Sequence, residues 1–486
     1  MSYFTNARRS RIRAGVLWIV AALASAAGLR LPAEEIPEPA REFRGVWLAT
    51  VYNIDWPSKP GLSAAEQKLQ LLAMLDRAAA LNFNAVILQV RPQCDALYAS
   101  EREPWSAFLS GTMGVSPGYD PLAFAIGEAH ARGLELHAWF NPFRALANAK
   151  TPVSADHVTK RHPEWIRRYS TGLVLDPGVP EARAYSLGVI LDVLRRYDVD
   201  GIHIDDYFYP YPVKAEPFPD DASYRRYVAG GGGLARDDWR RANTNQFIAA
   251  LYRGIKAEKR AVKFGISPFG IWRPGVPATT IAYVDSYAHL FADSRRWLRE
   301  GWCDYLAPQL YWPIQPPKQS FPMLLEWWRS ENIAGRHVWP GIADDRIGAT
   351  RLADENIAQI AITRAGPGTR GHLHWSAKNV LRNQGGIADR LRKDSYREPA
   401  LVPASPWLGV TPPAPPLLSV AEDRLQWRAG DATPVRWWLL QTRKDGKWSQ
   451  QLLPASQTSL PRPPASTIAL RALDHAGNAG LPVELK

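Results

Sequence analysis

The chain has few of the residues and motifs that mark several common protein classes. It contains two cysteines among 486 residues, which excludes a disulfide-rich or thiolate-metal scaffold. No Lys/Arg cluster or nucleic-acid motif occurs, so nucleic acid is not the expected partner. No uninterrupted apolar run reaches the roughly 20 residues of a membrane span. With 46% hydrophobic and 22% charged residues, the composition is that of an ordinary globular protein.

The first 33 residues differ from the rest of the chain. Arginines at positions 8, 9, 11 and 13 precede an apolar run over 14–28, and small residues at 24–26 or 31–33 suit cleavage. No cysteine lies nearby, so lipid attachment is excluded. We predict a signal peptide over 1–33 and an exported protein of the periplasm or cell envelope. The alternative is an uncleaved anchor, through which the chain would associate transiently with the membrane.

Positive charge and aromatic residues are what the chain has in excess. The N-terminal segment holds five Lys and Arg residues and no acid, so its removal lowers the net charge from +12 to about +7. A basic exported protein favours acidic partners such as cell-wall polymers. The 20 Trp and 18 Tyr residues suit stacking on sugar rings as well as core packing. The expected partner is a polysaccharide; the oligomeric state is left open.

A short apolar strand, a long loop and an amphipathic helix recur eight times after residue 41. The strands are predicted at 43–50, 85–90, 134–140, from 200, and at 263–267, 305–312, 337–343 and 371–377. Helix-to-strand joints are short and strand-to-helix loops are long, which places function at the carboxyl ends of the strands. Residues 41–400 are therefore predicted to form an α/β fold, a closed (β/α)8 TIM barrel. A Rossmann fold would need a glycine-rich turn after strand one, which is absent.

The remainder of the chain predicts a second, smaller domain. Residues 401–415 are proline-rich and are interpreted as a semi-rigid linker. Residues 416–486 contain short strand patterns separated by turn signals. They predict a small all-β sandwich of the fibronectin type III kind. Such modules usually bind ligands or act as spacers between domains, so catalysis is expected in the barrel.

The predicted catalytic centre is the segment DGIHIDDYFYP at 200–210. Alternation along its strand puts Gly201, His203 and Asp205 on one face. Acids at inward strand ends in barrels tend to be functional, so we expect Asp205 to be catalytic. Its alternative role is a structural cap. Asp206 points away if the strand stays regular, and is expected to support substrate or loop contacts instead.

A second catalytic carboxylate is expected outside this segment. Glycosidic cleavage uses an acid and a second carboxylate, and in retaining enzymes the two stand about 5 Å apart across the scissile bond. Adjacent residues fit that geometry poorly. The candidates are Asp95 and Asp344, with Asp55 a third, and each has a binding or structural role as its alternative.

Polar and aromatic side chains at the other strand ends suit a polyhydroxylated substrate. Arg91 and Arg144 could pair with a substrate carboxylate, or simply stabilise loops. Trp residues within strands are expected to pack in the core, whereas those just past strand ends are expected to stack on sugar rings. The predicted substrate-binding residues are Asp55, Trp56, Gln89, Arg91, Asn141, Arg144, His203, Asp206, Tyr207, Trp272, Gln309, Tyr311, Trp312 and Trp375.

Other chemistries are less well supported by the sequence. His372 and His374 form an HxH pair, but no matching His/Asp pair occurs on strand one, so neither a metal nor another cofactor is expected. Ser267 lacks the G-x-S-x-G context of a nucleophilic serine. Cys94 follows one predicted strand and Cys303 precedes another, which puts them at opposite barrel ends and disfavours a disulfide.

Seven segments together resemble the glycosyl hydrolase-like 10 family of bacterial exported proteins. They are FRGVWLATVYNIDWPS (43–58), FNAVILQVRPQCDALY (83–98), AWFNPFR (138–144), LDPGVPEAR (175–183), DGIHIDDYFYP (200–210), ISPFGIWRPG (266–275) and PQLYWPI (308–314). The resemblance implies a TIM barrel, often with an appended sandwich, and glycoside hydrolase activity. Its divisome-associated members resemble enzymes acting on denuded peptidoglycan glycan strands. They are often lipoproteins, whereas this chain lacks the lipobox cysteine.

Strand four is also similar to two other barrel motifs. In the amylase-type D-G-x-R-x-D the last Asp is the nucleophile, and Asp205 falls at that position. In the chitinase-type D-G-x-D-x-D-x-E the final Glu is the acid, and here Tyr207 stands in its place, which disfavours chitinase-like substrate-assisted catalysis. The sequence therefore predicts an exported hydrolase of a cell-wall glycan, most specifically denuded peptidoglycan. The alternative is a non-catalytic glycan-binding protein on the same scaffold.

Overall fold

Eight parallel strands form the centre of the protein. The structure is a computed structural model that describes residues 35–214, 216–315, 317–368 and 370–485, so the predicted signal peptide lies outside the described residues. The strands are β1 (Phe43–Leu48), β2 (Ala85–Arg91), β3 (Glu135–Phe140), β4 (Gly201–Ile204), β5 (Lys263–Ile266), β6 (Tyr305–Leu306), β7 in two segments (His337–Val338 and Gly341–Ala343) and β8 (Gly371–Trp375).

The sheet closes on itself through β7. Its first segment pairs in parallel with β6 and its second with β8, while β8 also pairs with β1. Neighbouring strands from β1 to β6 are joined in chain order. The prediction of a (β/α)8 TIM barrel is confirmed. Strand six ends earlier than predicted because Pro308 has no N–H to pair, and Pro340 divides β7 for the same reason.

Eight helices surround the barrel, one after each strand. They are α1 (Ala64–Ala80), α2 (Pro121–Ala131), α3 (Pro180–Arg196), α4 (Arg236–Glu258), α5 (Ser294–Arg299), α6 (Phe321–Ser330), α7 (Ala353–Ala365) and α8 (Ala377–Leu381). α1 begins at a capping box, in which Ser63 and Glu66 exchange side-chain and backbone hydrogen bonds. The long loop after β3 carries a three-stranded antiparallel sheet of Arg144–Leu146, Ile166–Tyr169 and Gly172–Leu175, which we had not predicted.

Large aromatic side chains fill the inside of the barrel. The Phe43 and Trp339 rings stack with their centroids 4.0 Å apart. Glycines on adjacent strands make room for such groups. A Cβ at Gly265 would lie 1.9 Å from the Tyr305 ring, and one at Gly201 would lie 2.4 Å from the His137 imidazole. The barrel interior is therefore a packed core, and an open space is left at its carboxyl end.

The C-terminal region forms two antiparallel sheets. Its strands are β9 (Leu417–Ala421), β10 (Arg424–Arg428), β11 (Trp437–Lys444), β12 (Lys447–Pro454), β13 (Ser459–Pro461), β14 (Thr467–Leu473) and β15 (Val483–Leu485). One sheet has the order β9-β10-β13 and the other β12-β11-β14-β15. Trp427 of the first sheet and Trp438 of the second lie in one buried cluster. The small all-β sandwich is thus present as predicted.

The sandwich and the proline-rich stretch pack against the amino-terminal end of the barrel. Arg436, just before β11, forms an ion pair of 2.6 Å with Asp200, which directly precedes β4. Trp407 donates a hydrogen bond of 2.8 Å to Asp304, just before β6. Residues 39–486 accordingly form one compact unit. The end of the barrel opposite the sandwich remains accessible to ligands.

Two further observations concern the chain as a whole. Cys94 and Cys303 are both free and buried, in agreement with the expectation that they do not pair. None of the helices within the described ranges has the length and apolar character needed to cross a bilayer.

Arg436 is predicted to stabilise the contact between sandwich and barrel. Burial alone would raise the pKa of Asp200, and Arg436 together with His130 holds it well below its usual value. Arg436→Ala leaves that buried carboxylate with one fewer cation, so we expect a loss of about 3 kcal/mol in the free energy of unfolding. Thermal denaturation measures it. Arg428→Ala, at an exposed position of the same module, is the control, and equal melting temperatures for the two variants would contradict the prediction.

Candidate active site

A cavity of about 220 Å³ opens at the carboxyl end of the barrel. It lies where inward-facing side chains of several strands and the residues just after them meet. Aromatic and polar groups alternate around it. Its lining residues are Trp47, Trp139, Asp205, Asp206, Tyr207, Tyr211, Ser267, Gln309, Tyr311 and Trp375.

Asp205 lies at the floor of this cavity and is 4% exposed. Trp139 donates its indole N–H to Oδ2 at 3.0 Å, and the Asn141 amide contacts both carboxylate oxygens at 3.1 and 3.2 Å. Burial is the largest influence on the carboxyl group and raises its pKa to about 6. The nearby Arg144 charge opposes that rise and Asp206 adds to it. Asp205 can therefore change its protonation state in the weakly acidic range.

Asp206 faces the same cavity, which corrects the expectation that it points away. β4 ends at Ile204, and a turn closed by a hydrogen bond from the Phe208 amide to the Asp206 carbonyl follows. Strand alternation therefore no longer holds at Asp206. Its Oδ2 accepts a close hydrogen bond from the Tyr211 hydroxyl, and burial raises its pKa. Two consecutive carboxyl groups thus share one cavity.

His203, a predicted binding residue, is fully buried and is not among the residues that line the cavity. Its Nε2 accepts the Trp47 indole N–H at 3.1 Å and lies 3.0 Å from the Ser267 hydroxyl. Its Nδ1 lies 2.9 Å from the Tyr305 hydroxyl. Burial holds the pKa of His203 well below the usual value, so the imidazole is neutral. His203 positions two lining residues and does not itself line the cavity.

Several predicted binding residues do lie at or beside the cavity. Four of them line it: Tyr207, Gln309, Tyr311 and Trp375. Asn141 does not line it but donates a hydrogen bond to Asp205, which does. The Arg144 guanidinium carbon lies 4.1 Å above the centre of the Tyr207 ring. Since its charge also acts on Asp205, Arg144 provides a cation at the rim.

The two other predicted catalytic carboxylates do not line the cavity. Asp344 is fully buried, where it accepts from His374 Nδ1 at 2.7 Å and from the Asn356 amide at 2.8 Å. Asp95 is also fully buried, and its Oδ1 accepts from the Gln93 amide at 3.1 Å. Both carboxylates are directed into the surrounding protein by these donors. The structure therefore does not bring either of the two predicted acids to the cavity that holds Asp205.

Four predicted binding residues near β1 and β2 form hydrogen bonds or ion pairs with neighbouring parts of the protein. Asp55 accepts hydrogen bonds from two backbone amides and the Ser376 hydroxyl. Trp56 is fully buried and donates to a carbonyl of α1. Gln89 accepts from two amides of the loop after β1. Arg91 is fully buried in an ion pair of 2.6 Å with Glu103. None of these four lines the cavity.

Trp272 and Trp312 also lie outside the cavity lining. Trp272 stacks on Trp327 with ring centroids 6.1 Å apart. Trp312 meets the Phe269 ring edge-on at 5.6 Å. Trp327 lies in α6 and Phe269 in the loop after β5, so both indoles pack onto other aromatic rings and the structure does not bring them to the cavity.

Four lining residues are not among the predicted binding residues: Trp47, Trp139, Tyr211 and Ser267. Trp47 and Trp139 lie within strands, where tryptophans are expected to pack in the core. Alternation on β1 and β3 could have shown that they face inward near the open end. Tyr211 lies in a loop after β4, where neither periodicity nor spacing singles it out.

The histidine pair on β8 lies away from the cavity. His374 and His372 both contact the Tyr396 hydroxyl in the layer outside the barrel. Within the described part of the chain, no group of three or more His, Cys, Asp or Glu residues is arranged to hold a metal ion.

Comparisons with known proteins identify clear relatives. A family model described as "Glycosyl hydrolase-like 10" matches residues 42–358. Glycosyl hydrolase YngK of Bacillus subtilis is 44% identical over 399 residues, which cover 79% of this chain and 78% of the relative. Glycosyl hydrolase DigH of Escherichia coli K12 is 39% identical over 347 residues, covering 66% of this chain and 77% of the relative.

Among solved structures, the fold is similar to the PgaB (BpsB) glycoside hydrolase domain from Bordetella bronchiseptica. The TM-score is 0.49 at 13% sequence identity. The match covers 73% of this chain and 98% of that domain.

The raised pKa of Asp205 predicts a pH-dependent gain in stability for Asp205→Asn. The folded carboxyl group holds its proton to about pH 6, whereas the unfolded one releases it near 3.8. The folded wild type is therefore destabilised as pH rises through this window, and the uncharged amide is not. The gain from the substitution should grow by roughly 1–3 kcal/mol between pH 4 and pH 7.5.

Chemical denaturation at the two pH values measures this difference. Asp156→Asn, at an exposed position, serves as the control and should show little change with pH. A pH-independent effect of Asp205→Asn would show that its carboxyl group is not shifted as described.

Proposed function

The chain belongs to the glycosyl hydrolase-like 10 family and is a glycoside hydrolase, and we propose that its substrate is peptidoglycan from which the stem peptides have been removed. The observation that carries this proposal is a buried carboxylate, Asp205, at the floor of an aromatic cavity with a cation at its rim. Membership of the family sets aside the non-catalytic alternative. It also fixes the general substrate as a glycan.

The aromatic walls of the cavity support a sugar as the ligand. Three indoles, of Trp47, Trp139 and Trp375, and the phenol of Tyr311 face one small volume. Flat aromatic faces pack against the C–H faces of pyranose rings, while carboxylates and amides bond to their hydroxyls. Asp205, Asp206 and Gln309 provide such polar groups.

Arg144 supports an acidic glycan in particular. Of the two arginines considered for a substrate carboxylate, Arg91 is neutralised by Glu103 in a fully buried pair. Arg144 is half-buried, stacks on Tyr207 and has a weak hydrogen bond of 3.4 Å to a carbonyl. Muramic acid carries a lactyl carboxylate, which is free once the stem peptide is removed. A guanidinium group suits its recognition.

A second cavity supports a polymeric substrate. It has a volume of about 370 Å³ and shares Tyr207 and Tyr211 with the first. Arg144 and the antiparallel sheet after β3 form its walls. A glycan strand passing from one cavity to the other would place successive sugars on either side of Tyr207.

We further propose that residues 1–33 direct export and that the C-terminal sandwich is a fibronectin type III-like spacer or binding module. The first proposal is supported by the basic and apolar pattern of that segment. The second is supported by seven strands in two antiparallel sheets. N-terminal sequencing of the protein from a cell-envelope fraction should give a start after residue 26 or 33. A start at residue 1 would contradict cleavage.

Asp205→Asn should abolish hydrolysis while the fold remains intact. The amide can neither carry the negative charge nor exchange a proton near pH 6, so we expect kcat to fall at least 10³-fold. Purified protein is incubated with denuded peptidoglycan, and the soluble products are analysed by mass spectrometry. Asp156→Asn is the matched control. Full activity of a folded Asp205→Asn variant would remove Asp205 from the mechanism.

Arg144→Gln should weaken binding of glycans that carry lactyl carboxylates. Loss of one charge-assisted contact predicts a roughly 10-fold to 100-fold rise in KM on denuded peptidoglycan. Chitin oligosaccharides, which lack the carboxylate, should be affected much less. Arg168→Gln, at an exposed position in the same loop, is the control. Equal effects of Arg144→Gln on both substrates would contradict carboxylate recognition.

A further inference from the structure

We propose that the 2-acetamido group of the substrate acts as the nucleophile, with Asp206 as proton donor and Asp205 as acceptor for the acetamido N–H. This inference rests on the proposed function, because the sugars of peptidoglycan carry 2-acetamido groups. It names the reaction class, a substrate-assisted cleavage that passes through an oxazolinium ion. The sequence disfavours this class because Tyr207 stands where chitinase-type barrels have their acid, but the structure places the Asp206 carboxyl group, one position earlier, in the cavity. The structural basis is the arrangement of carboxylates in the cavity.

The described lining of the cavity contains two carboxylates, and they are consecutive residues. Asp205 and Asp206 enter from the same strand end. Their Cα atoms are about 3.8 Å apart, as in any trans peptide. A protein nucleophile or base must instead act from the face of the sugar opposite the acid. Two side chains that start from neighbouring backbone positions are poorly placed for such opposed roles.

No other described carboxylate reaches the cavity in a position to supply the missing group. Asp344 and Asp95 are fully buried and bonded to neighbouring protein groups. Asp345 lies 3.7 Å from the Arg346 guanidinium and does not line the cavity. The attacking atom must then come from the substrate or from water.

The contacts of Asp205 favour its anionic form. The indole N–H of Trp139 and the amide N–H of Asn141 are donors and cannot accept a proton from a carboxylic acid. An ionised Asp205 can satisfy them and still accept the N–H of an acetamido group. That contact orients the acetamido carbonyl oxygen toward the anomeric carbon and stabilises the positive charge that develops on the nitrogen.

The contact of Asp206 allows either protonation state. Its Oδ2 contacts the Tyr211 hydroxyl, which can donate to a carboxylate or accept from a carboxylic acid, and the Gln309 side-chain amide is also near the carboxyl group. Asp206 can therefore carry a proton before the reaction and lose it during the reaction without leaving its partner unsatisfied. These are the properties required of a general acid that becomes a general base.

The reaction then balances in two steps. The acetamido oxygen forms a bond to the anomeric carbon, the glycosidic C–O bond breaks, and Asp206 gives its proton to the leaving oxygen. Asp205 meanwhile holds the N–H of the oxazolinium ion. A water molecule next attacks the anomeric carbon and gives a proton to Asp206. The bond between the anomeric carbon and the acetamido oxygen breaks, and its electrons return to that oxygen. Each of the two displacements inverts the anomeric carbon, so the product retains the anomeric configuration of the substrate.

The first experiment varies the acyl group of the substrate. The wild-type enzyme is supplied with N-acetylated glycan and with the same glycan carrying N-trifluoroacetyl groups, whose carbonyl is a poor nucleophile. We expect kcat to fall at least 100-fold with the fluorinated glycan. Comparable rates would overturn this inference and leave the proposed function standing. Cleavage of neither glycan would instead overturn the proposed function, and this inference with it.

The second experiment separates the roles of the two carboxylates. An aryl glycoside of the glycan disaccharide with a 2,4-dinitrophenolate leaving group needs no acid. Asp206→Asn should keep kcat within about 10-fold of wild type on this substrate while losing hydrolysis of the natural glycan. Asp205→Asn should lose both. Equal losses for Asp206→Asn on the two substrates would overturn its role as the acid.

Asp345→Asn is the control for a second protein carboxylate. Asp345 is also an acid at a strand end, and it lies outside the cavity lining. We expect the variant to retain wild-type activity on both substrates. A loss as large as that of Asp205→Asn, in a protein with an unchanged melting temperature, would identify a carboxylate pair and overturn the substrate-assisted reaction.

Discussion

Burial of the Asp205 carboxylate is the constraint on which the active site depends. A charge removed from water needs donors, and β3 supplies them from Trp139 and the neighbouring Asn141. Both donors are themselves fixed, since Trp139 lies in the inner core and Asn141 accepts the Arg144 amide at 2.8 Å. The carboxylate is thus held by rigid groups of an adjacent strand, and the cavity takes its shape around it.

The same strands carry a column of polar side chains down the barrel axis. The indole of Trp47 donates to His203 Nε2, so the remaining nitrogen of that ring, Nδ1, carries the proton and donates to Tyr305. The Tyr305 hydroxyl in turn donates to His137 Nδ1 at 2.8 Å.

The lower end of the column is charged. His137 Nε2 donates to Glu135 at 3.1 Å, and Glu135 forms an ion pair of 2.8 Å with Lys263. Each member of this column has a hydrogen-bond or ion-pair partner, which offsets the cost of burying polar groups among the aromatic rings of the core. The cavity floor is consequently anchored to the end of the barrel where the sandwich docks.

The sequence was sufficient for the barrel, because eight apolar runs separated by helical periodicity admit few other folds. It was also sufficient to place Asp205 at the cavity, since alternation along β4 still predicts the direction of the first residue after the strand. It was not sufficient to predict the direction of the Asp206 side chain, because alternation ends with the strand and the following turn sets that direction. The direction of Asp344 was not predictable for a related reason: a carboxylate after a strand can face His374 in the outer layer as readily as the cavity. Such choices depend on partners distant in sequence.

The difference between the two cavity carboxylates also comes from their partners, since their chemistry is identical. Both are buried, and burial raises the pKa of each. Asp205 meets nitrogen donors that tolerate an anion, whereas Asp206 meets a hydroxyl that tolerates either state. Adjacent residues of one type can therefore take different parts in a reaction, one as a proton donor and one as an ionised hydrogen-bond acceptor, when different strands and loops supply their hydrogen bonds. The roles follow from the loop that brings Tyr211 to Asp206 and from β3, which brings Trp139 to Asp205.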